Sequence, residues 1–166
     1  MAIALVLMGV TGSGKSTIGE KLAAQVGWIF LDGDDFHPDE NVQKMARGLP
    51  LTDEDRAPWL QLLAEKIGAL VDDGVNCILA CSSLKAAYRQ MLSAGRSQVR
   101  FVHLTAPQAL IGERLKKRQH RYMPAALLQS QFDTLEDPKE ALSVDVSGNP
   151  DEAVEQIIRS LLCEFL

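Results

Sequence analysis

The sequence predicts one α/β domain over residues 1–166, with a parallel sheet covered by helices on both faces. Two observations predict this class: short, continuously apolar runs recur along the chain, and amphipathic stretches of helical length separate them. The apolar runs predict five strands, at 3–8, 28–31, 77–81, 99–104 and 143–146. The stretches between and after them predict helices at 16–26, 58–71, 86–92, 108–117, 124–132 and 151–165. Ligands of such sheets bind at the carboxyl ends of the strands.

Composition and charge exclude several classes of function. No apolar run approaches the ~18 residues of a membrane span, and the first run is too short for a secretory signal. We therefore expect a cytoplasmic protein with no membrane partner. The formal net charge of −5 argues against nonspecific binding to nucleic acid. Of the three cysteines, Cys77 and Cys81 lie in an apolar run, where we expect small buried side chains rather than metal ligands.

A glycine-rich motif directly follows the first predicted strand and opens the first predicted helix. Residues 9–16 match G-x-x-x-x-G-K-[ST], the pattern of a phosphate-binding loop (P-loop). Glycines let backbone N–H groups converge on a phosphate, and the positive end of the helix dipole adds to the same place. We expect Lys15 to contact the β- and γ-phosphates of ATP and Ser16 to bind Mg²⁺. The predicted nucleotide-binding residues are Gly9, Val10, Thr11, Gly12, Ser13, Gly14, Lys15, Ser16 and Thr17.

Acidic residues follow the second predicted strand. A phosphoryl acceptor needs a carboxylate near its hydroxyl, to orient it and take its proton. Because alternate residues of a strand share a face, we expect Asp32 and Asp34 to project together. Asp34 is assigned to the acceptor hydroxyl and Asp32 to the magnesium shell. Helix capping is the alternative for both, and Asp35 is expected to be solvated. His37 is open between a ligand contact and a turn residue.

A basic segment predicts a helical lid. Residues 114–121 contain five Lys or Arg side chains and no acid, although the whole chain is acidic. Arg114 and Arg118 are one turn apart on a predicted helical face, and we expect both to stabilise the charge of the transferred phosphoryl group. Arg121 ranks below them. The lid, at about 114–136, would close over ATP and exclude water; a solvated basic helix face is the alternative.

Further motifs occur at a characteristic spacing along most of the chain. The most specific are His37-Pro38 and Asp55-Arg56-Ala57-Pro58-Trp59, and others are Cys81-Ser82, Leu84-Lys85, Tyr88-Arg89, Ser130-Gln131-Phe132 and Thr134-Leu135-Glu136. Together they resemble the gluconokinases of bacteria and eukaryotes, from residue 6 to about residue 138. The resemblance implies transfer of phosphate from ATP to D-gluconate, giving 6-phospho-D-gluconate. It also implies the P-loop NTPase fold of nucleoside monophosphate and shikimate kinases, and often a homodimer.

The predicted acceptor site follows from the chemistry of gluconate, a polyol with a carboxylate at one end and the reacting hydroxyl at the other. Arg56, Lys85 and Arg89 could each supply a cation for the carboxylate. Arg56 is favoured because a planar guanidinium binds a carboxylate through two hydrogen bonds. His37 and Ser82 are expected among the partners of the hydroxyl groups.

Alternatives remain open at this point. Arg56 could instead pair at the surface with Asp53 or Asp55, since Thr52-x-x-Asp55 resembles a helix-capping box. The acidic pattern after the second strand is also similar to that of shikimate kinases, but residues 81–85 replace their glycine run, which favours gluconate. The other candidate functions are a shikimate-type or nucleotide kinase and a non-enzymatic ATP-binding switch. A switch would need neither the acceptor-side acids nor an arginine lid.

Overall fold

The computed structural model describes residues 1–118 and 125–163, which fold around a five-stranded parallel sheet. The strands are β1 (Ala4–Met8), β2 (Ile29–Asp32), β3 (Cys77–Ala80), β4 (Val99–Thr105) and β5 (Leu142–Asp145). They lie in the order β2-β3-β1-β4-β5, and every neighbouring pair is parallel. The five predicted strands are confirmed, with ends that differ by at most one residue.

Helices connect the strands and cover the sheet. They are α1 (Lys15–Val26), α2 (Asp39–Ala46), α3 (Asp53–Asp72), α4 (Ala86–Ser93), α5 (Gln108–Lys116), α6 (Ala125–Thr134) and α7 (Pro150–Ile157). A 3-10 helix (Gly33–Phe36) follows β2, and a π-helical turn (Ile158–Leu162) extends α7. Within the described residues, none of these helices is long and apolar enough to cross a membrane.

Three helices differ from the sequence prediction. The helix predicted over 151–165 is α-helical only to Ile157 and continues as the π-helical turn, and residues 164–165 lie outside the described residues. The prediction lacks α2 altogether. It also begins α3 five residues too late, at Pro58, whereas the helix begins at Asp53. The cause is a capping box: the Thr52 hydroxyl accepts from the Asp55 N–H at 3.1 Å, and the Asp55 carboxylate accepts from the Thr52 N–H at 2.8 Å. The predicted capping motif is therefore confirmed.

The core lies on both sides of β1, whose five residues are all buried. Leu5 and Leu7 belong to a cluster formed with α1 and α7, while Val6 and Met8 belong to a second cluster formed with α3 and α4. This alternation is what a strand covered on both faces requires. The predicted buried state of Cys77 and Cys81 is also confirmed, and both contribute to the second cluster.

The strand order places a crevice at the end of β1. The chain runs from β1 to β2 on one side of β1 and later to β4 on the other, so the order reverses there. Open parallel sheets bind ligands at such a switch point, beyond the carboxyl ends of the strands. The phosphate loop leaves β1 at this point, and its Gly9 N–H donates to the Ser82 carbonyl, just beyond β3, at 3.1 Å.

Gly33 allows the 3-10 helix to pack tightly against the end of β3. A Cβ at this position would lie 2.7 Å from the Ala80 carbonyl oxygen and 3.4 Å from the Trp59 ring. Ala80 is fixed by its pairing with Asp32, so the backbone cannot easily move away. We expect Gly33→Ala to lower the free energy of unfolding by about 1–3 kcal/mol, measured by urea denaturation.

Gly112→Ala is the matched control for this prediction. Gly112 lies inside α5, and a Cβ there would meet nothing closer than Leu128 at 3.8 Å. We expect this variant to be neutral or more stable by up to about 1 kcal/mol, because alanine favours helix. Equal unfolding free energies for the two variants would contradict the packing argument.

Candidate active site

The phosphate loop takes a shape that depends on its glycines. Gly12 and Gly14 have φ angles of 86° and 91°, in the left-handed region that other residues avoid. Gly12 also lies against α5, where a Cβ would come within 3.0 Å of Leu115 and Ile111. α1 begins directly after Gly14, so the loop stands at the positive end of the α1 dipole. The backbone is therefore arranged to bind an anion, as the motif predicts.

Lys15 folds back over this loop. Its Nζ donates to the carbonyl oxygens of Gly9 and Val10, each at 3.0 Å. The ammonium group is therefore held at the loop itself, at the position predicted for contact with the β- and γ-phosphates.

The pKa of Lys15 shows which charged groups surround it. Burial lowers this pKa to about 8. The carboxylates of Asp34 and Asp32 act in the opposite direction, and the Arg118 guanidinium adds to the lowering. Both predicted acids and one predicted lid arginine therefore lie within electrostatic reach of Lys15.

Asp32 and Asp34 come together by a geometry that differs from the prediction. β2 ends at Asp32, and Asp34 belongs to the 3-10 helix, so strand alternation was the wrong reason for their proximity. Asp32 caps that helix: its Oδ1 accepts from the Asp34 N–H at 3.0 Å, while its Oδ2 accepts from the Ser16 hydroxyl at 2.8 Å. The capping alternative is thus correct for Asp32, which also contacts the predicted magnesium ligand.

The pair of Ser16 and Asp32 suits a magnesium ion. A hydroxyl and a carboxylate are hard oxygen donors of the kind that Mg²⁺ binds in nucleotide sites. The part of the chain that the structure describes contains no group of three or more His, Cys, Asp or Glu side chains placed to hold a metal. Further ligands would therefore be phosphate oxygens and water.

His37 is influenced by the charges of both Asp34 and Arg56. Its ring stacks on Trp59 with 4.0 Å between centroids, and its Nδ1 lies 3.3 Å from the Asn41 amide nitrogen. Its Nε2 lies 3.9 Å from the nearer carboxylate oxygen of Asp34. Burial lowers the pKa of His37, Asp34 opposes this effect, and the charge of Arg56 adds to it. His37 is therefore a neutral, tightly held side chain at pH 7.

Arg56 is oriented by two partners on the acceptor side. Its Nη1 donates to the Leu51 carbonyl at 2.7 Å and to the Tyr88 hydroxyl at 3.2 Å. The guanidinium carbon lies 5.4 Å from the centre of the Tyr88 ring. Both of these hydrogen bonds come from Nη1.

Among the described residues Arg56 forms no ion pair with Asp53 or Asp55, although its charge adds to the hydrogen bonds of Tyr88 and Lys85 in lowering the pKa of Asp53. Asp55 binds Lys44 at 2.6 Å, and Asp53 binds Lys85 at 3.1 Å. Lys85 is therefore paired with a carboxylate, and its contact with a substrate stays a prediction. Ser82, half-buried beyond β3, contacts the phosphate loop through its main-chain carbonyl, and its contact with a substrate hydroxyl stays a prediction.

Arg89 has a structural role instead of the predicted contact with the acceptor. It is only 2% exposed, and its Nε donates to Glu140 at 2.7 Å. Its two Nη atoms donate to main-chain carbonyls at 2.9 to 3.2 Å, those of Ser83, Leu84 and Glu136. These bonds join α4 to the segment that follows α6, and they leave the guanidinium facing protein groups.

The two predicted lid arginines do not share a helical face. α5 ends at Lys116, so Arg118 lies beyond the helix, where its N–H donates to the Leu115 carbonyl at 3.2 Å. Arg114 donates to the Val146 carbonyl at 2.6 Å and so anchors the turn after β5. Arg118 is the member of the pair that lies within reach of Lys15. Arg121 lies outside the described residues, so closure of a lid stays a prediction.

Sequence reasoning missed one residue that touches the phosphate loop. The side-chain amide of Gln131, in α6, forms two hydrogen bonds with Thr11. A single glutamine has no chemical signature in a sequence. The only available signal was its position in one of the motifs that carry the family resemblance.

The fold and site together define a class. A phosphate loop at the switch point of a parallel sheet binds a nucleotide, and a carboxylate beside its lysine offers a place for an acceptor hydroxyl. Proteins built this way are P-loop kinases, and this chain has their architecture.

Comparison with known proteins identifies the family. A family model described as an AAA domain matches residues 5–138. The gluconokinase of Gluconobacter oxydans is 42% identical, and the match covers 96% of this chain and 92% of the relative. The crystal structure of a gluconokinase from Sinorhizobium meliloti has a TM-score of 0.86 and 38% identity, over 95% of this chain and 90% of that one. The chain therefore belongs to the gluconokinase family.

Two further solved structures show how far the similarity extends. A sugar kinase from a Janibacter species superposes with a TM-score of 0.88 and 44% identity, over 96% of this chain and 94% of that one. A shikimate kinase from Aquifex aeolicus, 23% identical with a TM-score of 0.59 over 96% of both chains, shares the fold alone.

The lowered pKa of Lys15 predicts a pH dependence of nucleotide binding. Bound phosphates favour the ammonium form, so above pH 8 binding requires uptake of a proton, and affinity falls as the pH rises through that value. We expect the affinity for ADP, measured by titration calorimetry, to fall about fivefold between pH 8 and pH 9. Lys15→Arg is the control, because its guanidinium stays charged throughout this range. The same pH slope in both proteins would contradict the prediction.

Proposed function

We propose that this chain transfers the γ-phosphoryl group of ATP to the 6-hydroxyl of D-gluconate, giving 6-phospho-D-gluconate and ADP. The observation that carries the proposal is the path of side chains from the phosphate loop to Arg56. The charge of Asp34 acts on Lys15, the His37 Nε2 lies 3.9 Å from an Asp34 carboxylate oxygen, and the charge of Arg56 acts on His37. This path has a carboxylate for a hydroxyl at one end and a guanidinium for a carboxylate at the other.

The chemistry of the path fits a linear aldonic acid. The Asp34 carboxylate orients the terminal hydroxyl and accepts its proton as the new O–P bond forms. The bond from phosphorus to the β-phosphate oxygen breaks, and ADP leaves. Lys15 and Arg118 stabilise the negative charge on the transferred group. Arg56, held on one edge by Tyr88, binds the substrate carboxylate with its other edge.

The finer expectations belong to the same proposal. Mg²⁺, bound by Ser16 with Asp32 beside it, would neutralise charge on the phosphates. We also propose a cytoplasmic location, which is compatible with the free cysteines, and a homodimer. The shikimate-type and switch alternatives are not favoured, because the relatives matched over nearly the whole chain are gluconokinases.

A substrate panel tests the proposal. We expect ATP consumption with Mg²⁺ to be fastest with gluconate, with kcat/KM at least about 100-fold higher than with glucose, which lacks the carboxylate that Arg56 would bind. Shikimate and nucleoside monophosphates complete the panel. Faster turnover with either of them would favour the corresponding kinase, and an equal response to all compounds would favour a nucleotide-dependent switch.

Asp34→Asn tests the acceptor base. We expect kcat to fall by about 10²–10⁴, since the hydroxyl loses its proton acceptor. ADP affinity at pH 7 should stay within about threefold, because the phosphate loop is unchanged. Asp35→Asn is the matched control: it removes the same charge from the next residue, which is exposed, and should leave kcat within about twofold. Equal kcat in both variants would remove Asp34 from the mechanism.

A further inference from the structure

Gln131, in α6, forms two hydrogen bonds with the phosphate loop although it is distant from the loop in sequence. Its Oε1 accepts from the Thr11 N–H at 2.7 Å, and its Nε2 donates to the Thr11 hydroxyl at 3.0 Å. The orientation of the amide follows from chemistry, because a backbone N–H can only donate and so requires the oxygen. One side chain thus binds both the main chain and the side chain of a loop residue 120 positions away.

This contact holds the half of the loop that packs against α5 and α6. Val10 forms a small buried cluster with Ile111 and Leu115 of α5 and with Leu128 of α6. Thr11 lies between Val10 and Gly12, and a Cβ at Gly12 would come within 3.0 Å of Leu115 and Ile111 in α5. The shape of the loop at Val10 and Thr11 therefore depends on the helices beside it. Val10 makes the apolar contacts with these helices, and Gln131 makes the polar ones.

The segment that follows Gln131 reaches the acceptor side. The Glu136 N–H donates to the Leu84 carbonyl at 2.8 Å, and its carboxylate accepts from the Ala86 N–H at 3.2 Å. Between these two partners lies Lys85, which binds Asp53 at the beginning of α3. Residues 131–136 therefore contact the phosphate loop at one end and the loop between β3 and α4 at the other.

We propose that Gln131 is a positioning residue for phosphoryl transfer. It fixes Thr11 so that the phosphate loop keeps the shape that grips the nucleotide. Through residues 131–136 it keeps that loop at a fixed position relative to the loop that leads into α4. The second half of this inference rests on the proposed function, whereas the first concerns nucleotide binding alone.

Gln131→Ala tests the first half without any acceptor. The variant removes both hydrogen bonds and leaves the buried side of Thr11 without its partner, so we expect ADP to bind about tenfold more weakly in titration calorimetry. Gln129→Ala is the matched control. Gln129 is an exposed glutamine two residues away on the same helix, and it binds Gln108 and Asp133 rather than the phosphate loop. We expect it to bind ADP as the unchanged protein does.

A double-mutant cycle separates positioning from a general loss of stability. Thr11→Val removes only the hydroxyl partner, whereas Thr11→Ser keeps it. In the unchanged protein we expect Thr11→Val to weaken ADP binding severalfold and Thr11→Ser to have little effect. In the Gln131→Ala background the valine and serine variants should bind ADP equally, because the partner of the hydroxyl is gone. Should Gln131→Ala fail to fold, Gln131→Met replaces it in the cycle, because methionine keeps the length of the side chain but lacks the amide that binds Thr11.

Turnover completes the test. For Gln131→Ala we expect kcat with gluconate to fall by about tenfold or more, in addition to the loss of ADP affinity. The midpoint of urea denaturation should be like that of Gln129→Ala. ADP affinity within twofold of the control, or fully additive effects in the cycle, would overturn the proposal. If the unchanged protein does not phosphorylate gluconate, the proposed function fails, while the ADP measurements still judge the contact between Gln131 and Thr11.

Discussion

The site depends on the burial of β1 in the middle of the sheet. β1 pairs with β3 on one side and β4 on the other, and helices cover both of its faces. A strand enclosed in this way opens to solvent only at its end, so the chain must turn there and leave as a helix. The glycine loop makes that turn, and its bond from Gly9 to Ser82 holds it beside the end of β3. The donor and acceptor sides of the site thus come from the neighbours of one strand.

The electrostatics of the site follow from this burial. The Lys15 ammonium has lost much of its hydration, which disfavours its charge, and the carboxylates of Asp34 and Asp32 compensate in part. The same carboxylates repel the phosphates of a nucleotide. Binding therefore relies on backbone N–H groups and on the dipole of α1, which attract the phosphates and oppose this repulsion. An acidic acceptor side is compatible with a phosphate site for this reason.

Local patterns made the sheet and the phosphate loop predictable, since a doubly buried strand needs a continuous apolar run and the loop needs glycines at fixed spacing. α2 could not be predicted: it is largely polar, and Asn41 is its only buried residue. Arg89 illustrates a second limit, because a sequence does not distinguish an arginine that binds a ligand from one that binds buried carbonyls. Its partner Glu140 is 51 residues away, and Gln131 is further still from Thr11. Such contacts exist only once the fold has formed.

The two sides of the site differ in how they could change during evolution. The donor side is mostly backbone, and its geometry is fixed by β1, by the loop glycines and by α1. The acceptor side consists of side chains held by packing: Trp59 supports His37 and donates to the Gly33 carbonyl at 2.7 Å, and Tyr88 orients Arg56. A change in one of these supporting residues would move a substrate contact without disturbing the sheet. Proteins that share one fold can therefore keep the sheet and differ in the molecule that they bind. Under the proposed function, the orientation of Arg56 by Tyr88 is the arrangement on which selection of an acid over a neutral sugar depends.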